Sequence, residues 1–152
     1  MVSIQKRIAF GFVAGAISVL TFHQAAWASF HYLALPGLGM PPPFPMDAVP
    51  PFHVPRIVSL CFWGGVWGAL FGAVWRGPRS SNWWAGIILG VCAALFGLFV
   101  VAAIKGSPIA GGWVLNNWIR SLVINGTWGL GVGLLLALLP YQTAARDDHA
   151  YR

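Results

Sequence analysis

The sequence predicts an all-α membrane fold, a bundle of four transmembrane helices made of two helical hairpins. Three observations carry that prediction. Four apolar runs, residues 8–28, 57–75, 84–104 and 121–139, are each about 20 residues long, the length an α-helix needs to cross the roughly 30 Å hydrocarbon core of a bilayer. No Asp, Glu, Lys or Arg lies inside any of them. The 152-residue chain is 58% hydrophobic and only 8% charged, whereas an average soluble domain is about 25% charged. With four spans, little chain is left for a soluble unit. Residues 1–140 are read as one transmembrane domain and residues 141–152 as a polar cytoplasmic tail.

The first span follows Lys6 and Arg7 and opens with Gly11 and Gly15, four residues apart. Ala26-Trp27-Ala28 fits a signal-peptidase site, but the apolar run exceeds the usual 7–15-residue core of a signal peptide, which favours a retained helix. His23 and Gln24 lie about one turn below its far end. Polar groups at such depth are costly and mark candidate functional positions.

Residues 35–55 form the outlying segment, an outer loop with Pro36, Pro41, Pro42, Pro43, Pro45, Pro50, Pro51 and Pro55. Proline removes backbone donors and fixes φ, so turns and polyproline-II backbone are expected here. The loop is apolar as well (Leu38, Met40, Phe44, Met46, Val49, Phe52 and Val54) and is expected to lie over the bundle's outer mouth or in the headgroup zone. His31, Met40, Met46 and His53 are weak candidates for a metal site, because imidazole and thioether suit copper. Their spacing matches no metal motif, and no cofactor is predicted beyond bound lipid.

In the second span Gly64, Gly68 and Gly72 recur every four residues. Small residues at this spacing let helix backbones approach closely where van der Waals packing replaces the absent hydrophobic drive. With Gly11, Gly15, Gly86 and Gly90 they are read as helix-packing surfaces, either within the chain or toward a partner. Trp63 and Trp67 are candidate linings of a quinone, carotenoid or lipid groove, or bulk opposite the glycines. Ser59 is a further polar candidate. The fourth span contributes Asn125, expected to bond a neighbouring helix, and Thr127. Together His23, Gln24, Ser59, Trp63, Trp67, Asn125 and Thr127 are the candidate pore or ligand lining.

The hairpins resemble each other weakly. Gly11 and Gly15 match Gly86 and Gly90; Ser59, Gly64, Trp67-Gly68 and Gly72 match Ser121, Gly126, Trp128-Gly129 and Gly133 with one residue deleted. Such a parallel tandem repeat would turn about an axis along the membrane normal.

Charge sets the expected topology. Lys6, Arg7, Arg76, Arg79, Arg146 and Arg152 flank one side of the spans; Arg56, Lys105 and Arg120, offset by Asp47, flank the other. By the positive-inside rule both termini are expected to be cytoplasmic. The net charge of +6 is thus a topology signal, not a nucleic-acid footprint. Trp75, Trp83 and Trp84 fall at one interface and Trp27, Trp113 and Trp118 at the other, as interfacial belts do. Cys61 and Cys92 lie in spans and imply no disulfide framework.

The absences limit function. The chain has three acidic residues, none in a span, no P-loop and no G-x-S-x-G elbow. Paired-carboxylate catalysis is excluded, and a carboxylate-driven exporter is disfavoured. Phe22-His23-Gln24, the run from Pro50 to Pro55 and the run from Ser59 to Gly68 resemble uncharacterised small four-helix inner-membrane proteins of proteobacteria. That resemblance implies the fold and no activity. The expected function is a non-enzymatic accessory or scaffold subunit, a homo-oligomer or part of a larger membrane complex. The alternatives are a solute or ion passage built by a homo-oligomer, and a haem-, quinone- or metal-handling protein using His23 and the outer-face His and Met residues.

Overall fold

The computed structural model describes residues 2–139, the Arg79 side chain aside; the tail expected over 141–152 lies outside the described residues. Four helices, each long and apolar enough to cross a membrane, run α1 Ile4–Leu33, α2 Arg56–Val74, α3 Asn82–Ile104 and α4 Leu115–Leu138. Helices suit this composition because each satisfies its own backbone in hydrocarbon. α1 is capped by Ser3, whose hydroxyl accepts from the Lys6 amide, and closes on Ala34 in the left-handed region. It is longer than its apolar run at both ends. α4 likewise starts several residues before its run, taking in Asn116, Asn117 and Arg120.

α1 packs against α2 and α3 against α4 at backbone contact. A Cβ added to Gly11 would stand 2.1 Å from the Gly68 carbonyl oxygen, one on Gly15 2.1 Å from that of Gly64, and one on Gly72 2.3 Å from that of Arg7. In the second hairpin the same construction puts Gly86 2.2 Å from the Gly129 oxygen, Gly90 2.1 Å from that of Asn125, and Gly133 2.1 Å from that of Asn82. Only hydrogen fits at these crossings, which is the physical reason for the glycines. One packing scheme therefore occurs twice, with first helices offset by 75 residues and second helices by 61. These contacts correct the sequence alignment: Gly64 is matched by Asn125, and Gly126 by Gly65. Both first helices also widen into a π turn in the half away from the termini, at Val19–His23 and Gly97–Val101.

The hairpins join through α1 and α4. Ser18 Oγ donates to the Trp128 carbonyl at 2.6 Å, and Trp128 Nε1 donates back to the Gly15 carbonyl at 3.0 Å. Trp128, Val132 and Leu136, at most 2% exposed, fill the seam. α2 and α3 meet through rings, Trp67 on Phe96 and Trp75 on Trp84, each at 5.5 Å.

At the termini end, Arg7 is buried rather than a free flank, and its guanidinium donates to the Trp75 carbonyl. A cation there complements the negative end of α2. Trp75 Nε1 donates to buried Asn82 at 2.9 Å, fixing the α2–α3 turn.

Candidate functional site

The most elaborate polar construction lies at the opposite end, where residues 34–55 fold back over α1, α2 and α4. The loop contains a minimal antiparallel pair, β1 Ala48–Val49 with β2 Val54–Pro55, register Ala48 to Pro55 and Val49 to Val54. Its prolines leave many carbonyls and few amides, so its acceptors need donors from elsewhere. α1 supplies them from one face. Trp27 Nε1 donates to the Pro41 carbonyl at 2.8 Å, and His31 Nδ1 to that of Met40 at 2.8 Å. Arg120 of α4 donates to the Gly39 carbonyl at 3.1 Å and to Asn117 Oδ1. The amides of Arg56 and Ile57, which the first turn of α2 leaves without helical partners, donate to the carbonyls of Asp47 and Pro45 at 2.9 and 3.0 Å.

Gln24 and His23 make the deepest link. Gln24 is 2% and His23 6% exposed. The Phe44 amide donates to Gln24 Oε1 at 2.7 Å, so the other half of the Gln24 carboxamide, Nε2, faces His23 Nδ1 at 3.2 Å. An NH2 group only donates, so Nδ1 is the acceptor and the proton of neutral His23 sits on Nε2. The ring stacks near Trp27, centroids 6.0 Å apart. His23 terminates the π turn of α1, and such turns recur at functional positions.

Above this link opens a cleft of about 580 Å³, lined by Trp27, residues 41–45, Met46, Asp47 and Arg56. Arg56 Nε donates to Asp47 Oδ2 at 2.8 Å, and Nη2 bonds the same oxygen. The hydrogen bonds from Arg56, and its charge, hold the Asp47 carboxyl below the usual carboxylate range.

The other candidates do not converge here. Ser59 is half-buried on α2. Asn125 Nδ2 donates at 2.9 Å to the Ser121 carbonyl of its own helix, not to a neighbour. Thr127 lines a shallow outward groove of about 270 Å³ with Ile87, Leu122, Val123, Gly126 and Leu130. Trp63 is 59% exposed on the outside of the bundle, while Trp67 turns to Phe96, so the two do not line one groove. Met46 is exposed, His53 sits on the loop tip at φ 51°, and Met40 packs under the loop against the cluster of Ala26, Phe30 and Ile124. Among the described residues no three His, Cys, Asp or Glu side chains group as metal ligands. The roles of Trp27 and Arg120 as loop anchors escape a reading of the sequence, in which one is an interfacial ring and the other a flanking charge. The signal that points to them is the loop's shortage of donors.

The fold and these contacts define a multi-pass integral membrane protein with a built cap at one end. Comparison with protein-family models, with curated proteins and with solved structures finds no match.

Proposed function

We propose that the protein is a non-enzymatic accessory or scaffold subunit of a bacterial inner membrane, with both termini cytoplasmic and the proline-rich cap outside. The observation that carries this reading is the filled centre. Trp128, Val132 and Leu136 close the seam between the hairpins, and the polar candidates scatter instead of lining one path. That favours a surface role over conduction. The seven glycines read from the sequence are engaged inside the chain, so association would rest on other surfaces, the cap foremost.

The topology rests on the count of flanking cations. Occupation does not separate the ends: Arg56 and Arg120 are bonded at the loop end and Lys105 is exposed there, while Arg7 is bonded and Lys6 and Arg76 are exposed at the termini end.

Purification in mild detergent, with native mass spectrometry and an absorbance spectrum on one peak, tests the proposal. The expected result is a colourless species that carries larger membrane subunits. A homo-oligomer without partners that conducts solute in liposomes, with conduction lost in His23→Ala, would replace this reading with the passage. Bound chromophore would replace it with the redox reading.

A further inference from the structure

The cleft at the loop end has features that closure of the cap does not require. It lies where α2 begins and Trp27 of α1 faces the loop, the level at which amphipathic rings and charges meet lipid headgroups. Its rim is an ion pair with unused capacity. Arg56 spends Nε and Nη2 on one oxygen of Asp47, and Nη1 has no acceptor among the described residues. A carboxylate offers about four acceptor positions, so Asp47 can take a further donor. The rim is thus neutral in sum, with a cationic donor beside an anionic acceptor. The walls are apolar: the Trp27 ring, prolines 41–43 and 45, and Met46. The indole N–H of Trp27 is committed to Pro41, leaving its ring to offer van der Waals and cation–π surface.

We propose that this cleft binds the headgroup of a zwitterionic, primary-amine phospholipid of the phosphatidylethanolamine type, drawn from the surrounding bilayer. The phosphate accepts from Arg56 Nη1, the ammonium donates to Asp47, and the glycerol region lies against Trp27 and the prolines. Complementarity selects this class. A purely anionic headgroup satisfies Arg56 but meets the Asp47 charge. A choline headgroup carries positive charge but has no N–H to donate. The cleft of about 580 Å³ accommodates headgroup and glycerol while the acyl chains stay in the membrane. The proposal depends on the membrane-spanning fold and not on the accessory-subunit reading, so a protein without partners would leave it standing.

The test uses the full chain, delipidated in detergent and titrated with phosphatidylethanolamine, phosphatidylcholine and phosphatidylglycerol of identical acyl chains, with bound lipid counted by native mass spectrometry. One phosphatidylethanolamine should be retained about tenfold more tightly than either other lipid, as expected for one charge-assisted hydrogen bond. Asp47→Asn should erase the preference for phosphatidylethanolamine over phosphatidylcholine, and Arg56→Gln should weaken both. Met46→Trp, which fills the cleft and leaves the ion pair intact, should abolish stoichiometric binding at an unchanged melting temperature. Equal retention of the three lipids, a preference for phosphatidylglycerol, or wild-type binding by the Asp47 and Arg56 variants would each overturn the proposal.

Discussion

The two hairpins share a backbone and differ in nearly everything attached to it. Gly11, Gly15, Gly68 and Gly72 in the first have counterparts at Gly86, Gly90, Gly129 and Gly133 with the same carbonyl contacts. Yet Gly65 lies under the ring of Phe12, while its counterpart Gly126 is open because the residue matching Phe12 is Ile87. Trp128 reaches across to the Gly15 carbonyl, whereas its counterpart Trp67 meets Phe96 edge to face. The second hairpin turns through four consecutive left-handed residues, Ala110 to Trp113, held by Asn117 and Trp118. The first turns through a proline-rich cap held by Gln24, Trp27, His31 and Arg120. Where a Cβ would strike the opposite backbone in both hairpins the residue is glycine, while a residue that lends only its carbonyl varies, Gly64 in one and Asn125 in the other. Side chains at the loop end are free to diverge, and the proline-rich cap with its cleft belongs to one hairpin.

The largest effect is expected where the shared scheme is broken. Gly68→Ala would place a Cβ 2.2 Å from the Gly11 carbonyl oxygen, and Gly129→Ala one 2.1 Å from that of Gly86. Backbone cannot yield as a flexible side chain does, so each should cost about 3 kcal/mol or more, the upper part of the overpacking range. Gly68→Leu should prevent helix association altogether. Gly126→Ala, with nothing within 4 Å, should stay within about 0.5 kcal/mol of wild type. Thermal melts in one detergent compare the three sites. Indistinguishable melting of Gly68→Ala and Gly126→Ala would remove the close-packing account of both hairpins.

Next comes the cap. Gln24→Leu leaves the Phe44 amide and the His23 ring without their partners in a buried setting, at about 1–3 kcal/mol. Residues 35–55 should become open to protease while the helices persist. Asn117→Leu in the other hairpin removes a part-buried bond to the Gly111 carbonyl and the acceptor that orients Arg120, so it should loosen its own turn first and reach the cap only through the Arg120 bond to Gly39. Gln24→Glu sharpens the point. It keeps an acceptor for Phe44 but presents one to Nδ1, so the His23 proton should move from Nε2 to Nδ1, visible in ring nitrogen shifts. An unchanged tautomer would contradict the hydrogen-bond directions drawn here.

How much of this was legible beforehand follows from what each contact needs. Helices and their apolar lengths are properties of consecutive residues. Glycines every four residues are visible too, and they fall at the crossings. The repeat register slipped by one residue at Gly64 because glycines are frequent enough to align in two ways, and only the carbonyl opposite Gly90 assigns Asn125. The direction of a polar side chain is likewise invisible: Asn125 finds an acceptor four residues back on its own helix, and no periodicity distinguishes that from a neighbour. Gln24, Trp27 and Arg120 acquire their roles from a loop distant in sequence, whose prolines announce a need for donors without naming the suppliers.

A smaller effect tests the open groove. Phe12→Ile copies the second hairpin's residue into the first, uncovers Gly65 and should cost about 1 kcal/mol through lost ring contact. Ile87→Phe makes the reciprocal change and should cover Gly126 with little change in stability. The open side of Gly126 is best followed by lipid cross-linking from a photoreactive group at Thr127. Labelling should fall in Ile87→Phe, and persistence at the wild-type level would mean that the ring does not lie over the groove.

The smallest effect belongs to Asp47, because its side chain is about half exposed and solvent screens such a pair. Arg56 hydrogen bonds and charge lower its pKa in the fold. A lowered carboxyl pKa means that the unfolded chain binds the proton more readily. The stabilising contribution is therefore complete above the unfolded value, about 4, and is lost as pH falls through the folded one. Between neutrality and pH 5 the first loop should not respond to this group. In more acid solution Asp47 and the Arg56 Nε resonance should titrate together, with a midpoint below that of an unstructured aspartate. The second hairpin's turn, residues 105–114, contains no carboxylate, so its amide shifts should stay flat through the same window. Asp47→Asn should flatten the first loop as well. A residual acid transition at Arg56 in that variant would mean that the ion pair is not what holds the cleft rim, whatever the cap itself does.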